Sequence, residues 1–139
     1  MIIRQLGYAI AFAALVLAAA AGLREAVASG ALDAESAKRI MQAMLGLGLA
    51  GYGNFMPKKF GRPRRSPEAE ARMQAALRVG GWAMTLAGLV YALLWALAPL
   101  PLADTGGTIA VAGAAAITLG YALWCFAACR GARGASAQR

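Results

Sequence analysis

VGGWAMTLAGLVYALLWALAPL, residues 79–100, runs from end to end without a charged side chain. A hydrocarbon core of about 30 Å needs roughly 20 helical residues to cross it, so this stretch reads as a transmembrane helix. Working outward, residues 6–23, 40–56 and 105–129 are apolar and uncharged in the same way. The expected fold class is an all-α membrane protein, a bundle of four transmembrane helices forming a single domain over residues 1–139.

Composition agrees. The chain is 60% hydrophobic and 14% charged, whereas soluble domains carry about 25% charge. The longest polar stretch is the link between the second and third spans, so no separate soluble catalytic module is expected. The net charge of +8 raises the question of nucleic acid, but the placement of the charges answers it. Residues 57–78 hold Lys58, Lys59, Arg62, Arg64, Arg65, Arg72 and Arg78 against Glu68 and Glu70; Arg4 lies near one end of the chain, and Arg130, Arg133 and Arg139 near the other. The link 24–39 balances three basic against three acidic residues, and the last link carries only Asp104. That alternation follows the positive-inside rule. It places both termini and the basic loop in the cytoplasm, with the bilayer as partner and no nucleic acid.

A cleaved signal peptide competes for the first span, since Ala26-Val27-Ala28 has the small-x-small pattern. The apolar run is too long for that, and Arg24-Glu25 interrupts it before the site, so a retained helix is expected. Ser29-Gly30 should break this helix and Asp33 or Ser36 cap the next. Pro57 should stop the second span, while Ser66 and Pro67 should open a helix that runs into the third. Pro99 and Pro101 should end the third span, with Asp104-Thr105-Gly106-Gly107 as a tight turn. Trp82, Trp95 and Trp124 read as interfacial anchors, and the tail from Gly131, rich in Gly, Ala, Ser and Arg, as a disordered segment near anionic lipid.

Helices in lipid associate by close approach across small residues. Ala43, Gly46, Ala50 and Gly53 recur at spacings of three and four along the second span, a helix-packing stripe. Gly106, Gly113 and Gly120 repeat along the fourth, and Gly113 and Gly120 are expected to pack in the same manner. Asn54 is the strongest polar group of the second span and a candidate intramembrane site, open to bonding either a neighbouring helix or the carbonyls of its own last turn.

Residues suited to catalysis are scarce. The chain has no histidine, which removes the commonest general base and metal ligand and with it His-based triads and histidine-ligated haem. Cys125 and Cys129 lie four apart, but two thiolates make an incomplete zinc site. No acidic residue lies within a span; Glu25, beside Arg24, comes nearest to the carboxylate that a proton-coupled transporter needs. Lys58, Lys59, Arg62, Arg64 and Arg65 are candidates for contact with anionic lipid or an acidic partner, beside their part in setting topology. No enzymatic activity, metal or cofactor is expected.

One segment has a known counterpart. Gly53-Asn54-Phe55-Met56-Pro57-Lys58, Gly61-Arg62-Pro63, Ser66-Pro67-Glu68 and Arg78-Val79-Gly80-Gly81-Trp82 resemble the core of the SdpI-type family of small bacterial membrane proteins. There a Gly-Asn-x-Met-Pro-Lys motif closes one helix, a basic loop follows, and Arg-x-Gly-Gly opens the next. The likeness covers residues 53–82; the loop here is shorter and lacks the family's second asparagine and its aromatic residues. It implies a non-enzymatic role in a bacterial cytoplasmic membrane, as immunity to a membrane-active toxin or as a relay of its presence. The expected function is therefore helix–helix interaction, as such a protective or signalling protein or as an accessory subunit of a larger assembly. The alternative is a small homo-oligomeric transporter or channel, with Asn54, Thr118 and Glu25 near a polar path.

Overall fold

The computed structural model describes residues 2–55 and 67–136, and among these the regular structure is entirely helical. Four helices follow one another: α1 Ile2–Ala28, α2 Ala34–Phe55, α3 Pro67–Leu97 and α4 Leu100–Ser136. Three contain stretches long and apolar enough to cross a membrane, namely Ile10–Ala28, Glu70–Leu97 and Leu100–Ala127. This is the character of a membrane protein. α2 is not among the three, because Glu35, Lys38 and Arg39 occupy its start and glycines and Asn54 dilute its apolar part.

The chain divides into two compact units, Met1–Gln42 and Ala43–Arg139. In the first, α1 stops where Gly30 adopts a φ of 75°, a conformation that side chains with a Cβ seldom take. The reversed chain lets the Leu32 N–H reach back to the Ala26 carbonyl at 3.1 Å, and the Ser29 hydroxyl donates to that same carbonyl. Asp33 then caps α2. Its carboxylate accepts the Ser36 N–H at 2.8 Å, a donor that the first turn of a helix leaves free, and its carbonyl accepts the Ala37 N–H at 3.0 Å as the first bond of the helix. One turn on, Arg39 reaches Glu35 at 3.0 Å across the i, i+4 spacing.

In the second unit α3 and α4 form an antiparallel pair joined by Ala98 and Pro99. α3 ends at Leu97, before the prolines as expected, but the turn lies earlier than Asp104–Gly107. The Pro99 carbonyl accepts the N–H groups of Leu102 and Ala103 at 3.0 and 2.9 Å, so the prolines begin α4 at once. A first helical turn needs no N–H from its own residues, which is why proline suits it. Asp104 through Gly107 are helical, and Asp104 offers its carbonyl to the Thr108 hydroxyl at 2.8 Å. The tail also differs from expectation, since α4 continues through Gly131 to Ser136; its alanines and arginine favour a helix enough to carry it across the glycines.

The buried hydrophobic residues of this unit are Ala50, Ala87, Ala92, Trp95, Ala103 and Ala114. Alanine dominates because thin helices bring their backbones together. Trp95 is the exception and corrects the anchor reading: it is only 2% exposed, whereas Trp82 and Trp124 are 66% and 64% exposed. Gly107 makes the space, since a Cβ there would stand 2.9 Å from the Tyr91 ring and 3.3 Å from Trp95 Nε1. Tyr91 and Trp95 lie with ring centroids 6.2 Å apart.

Candidate functional site

The tightest feature of the second unit is the seam between α2 and α3. On α2 it is made by Gly46, Ala50 and Gly53, all buried, with Ala43 half-buried one turn before them. On α3 it is made by Gly81, Thr85, Gly88 and Ala92, at spacings of four, three and four. A Cβ at Gly46 would lie 2.8 Å from both the Gly88 oxygen and the Ala92 nitrogen. One at Gly88 would lie 2.5 Å from the Gly46 oxygen and the Ala50 nitrogen, and one at Gly53 would lie 2.8 Å from the Gly81 oxygen. Backbone meets backbone along this line, the close approach that small-xxx-small patterns permit in membranes. Glycine Cα–H groups facing carbonyl oxygens add a weak attraction.

Thr85 is the polar member. Its hydroxyl lies 2.8 Å from the Gly81 carbonyl of its own helix and 3.3 Å from the Ala50 carbonyl across the seam. One proton is thus shared between an intrahelical and an interhelical acceptor. This arrangement supplies adhesion and a fixed register.

α3 uses its adjoining face for α4. A Cβ at Gly80 would meet the Thr118 side chain at 3.0 Å and one at Gly106 the Leu94 side chain at 3.0 Å. The Thr118 hydroxyl donates to the Ala114 carbonyl at 2.7 Å. Buried Ala103, Gly107 and Ala114 and half-buried Thr118 form the α4 stripe. Gly113 and Gly120, expected to pack, are exposed and would meet nothing within 4 Å if given a Cβ. They sit one residue before Ala114 and Tyr121. One residue turns a helix by about 100°, which carries them off the α3 face.

Asn54 is exposed in the last turn of α2, and Glu25 and Arg24 are exposed near the end of α1. Lys58, Lys59, Arg62, Arg64, Arg65 and Ser66 lie outside the described residues. Cys125 is half-buried, and the Cys129 side chain lies outside those described. Among the described residues no three of His, Cys, Asp and Glu gather where a metal would sit.

The α3 half of the seam was present in the sequence as Gly81, Thr85, Gly88 and Ala92. Reading it requires matching its 4-3-4 spacing with the 4-3 spacing of Gly46, Ala50 and Gly53. Compared with protein-family models, with curated proteins and with solved structures, the chain finds no match.

Proposed function

We propose that the chain is a non-catalytic, four-span protein of a bacterial cytoplasmic membrane, N-in and C-in, that acts through helix–helix contact. Its role in this reading is that of an SdpI-like protective or signalling protein, or of an accessory subunit in a larger membrane assembly. The observation that carries the proposal is the meeting of Gly53 with Gly81. These residues stand near the two ends of the segment that resembles the SdpI core, and a Cβ on Gly53 would lie 2.8 Å from the Gly81 oxygen. The motif glycines thus act at a helix contact, and the chemistry they supply is adhesion.

The outer faces of α3 and α4 fit the same reading. Leu86, Leu93, Ile109, Ile117 and Leu123 are each more than half exposed, an apolar surface suited to lipid or to another helix. The transport alternative has less to draw on, since Thr118 bonds to its own helix and Asn54 stands at a helix end. Native mass spectrometry after gentle extraction from the host membrane tests the proposal. A stoichiometric complex, with foreign subunits or with further copies of the chain, is the expected result. A chain free of foreign subunits, single or homo-oligomeric, that conducts ions or small cations in liposomes would overturn it.

A further inference from the structure

We draw no further inference here: the strongest candidate, the apolar groove between the first turns of α3 and the far part of α4 that Ala71, Arg72, Ala75, Tyr121, Trp124 and Cys125 line, has as its one charged group an arginine already engaged with a partner, and nothing in the structure shows what covers its apolar walls.

Discussion

A methyl group at Gly88 has nowhere to go. It would stand 2.5 Å from the backbone of α2 at Gly46 and Ala50, and backbone cannot swing aside as a side chain can. Gly88→Ala should therefore separate α2 from α3 and cost about 1 to 3 kcal/mol, the range of an overpacked core. Gly113→Ala is the matched control, because a Cβ there meets nothing within 4 Å. It should be neutral or stabilise α4 by about 0.5 to 1 kcal/mol through reduced backbone entropy. Unfolding of both variants in mild detergent checks the pair, and equal effects would mean that the seam does not hold the helices. The contrast also shows how far single residues can be read from a chain. Small side chains at helical spacing are visible in any sequence, but a rotation of one residue decides which of them touch. Gly46 and Gly53 lie on the contacting face, whereas Gly113 and Gly120 miss theirs by that one step.

Element ends were more legible, since a cap depends on a few neighbouring residues. Asp33 carries out at α2 the chemistry its residue type suggests. The Ser36 N–H bonded to its carboxylate holds the Asp33 pKa below the ordinary value of 3.8. A carboxyl group depressed by folding adds stability that is fully present above its unfolded value. That contribution should be lost as the pH falls through 3.8 and past the lowered value. The protection of the Ser36 and Ala37 amides, taken relative to the intrinsic exchange rate at each pH, should fall over this window in the wild type, be low at all pH values in Asp33→Ala, and lose its pH dependence in Asp33→Asn. An exchange profile unchanged in Asp33→Ala would refute the cap. The start of α4 was harder to read. Pro99 and Pro101 signal a helix boundary, but a first turn accepts proline as readily as a loop does. Asp104-Thr105-Gly106-Gly107 has turn-forming residues yet stays helical, because Gly106 and Gly107 let α4 lie against Leu94, Tyr91 and Trp95.

For the molecule as a whole, topology turns on α2. The other three helices contain stretches long and apolar enough to cross a membrane, and the proposed four-span topology requires that α2 cross as well. Single cysteines at Ala31 and Phe60, in a Cys125→Ser, Cys129→Ser background, separate the cases. A membrane-impermeant maleimide applied to intact cells should label Ala31→Cys at once and Phe60→Cys only after lysis. Labelling of both from the same side would mean that α2 does not cross. Taken alone, the sequence determined that the chain is helical and apolar on the scale of a bilayer, where the α1–α2 turn lies, and that charge gathers beside one end of the α3–α4 pair. Those properties depend on composition and on neighbours within a turn or two. Only the tertiary structure decided that Trp95 is buried, that α2 meets α3 through Gly46, Ala50 and Gly53, and that Arg72 shares a groove with Tyr121 and Trp124. Each of those outcomes depends on how one helix is rotated and shifted against another, and that is set by the joint fit of two surfaces distant in the chain.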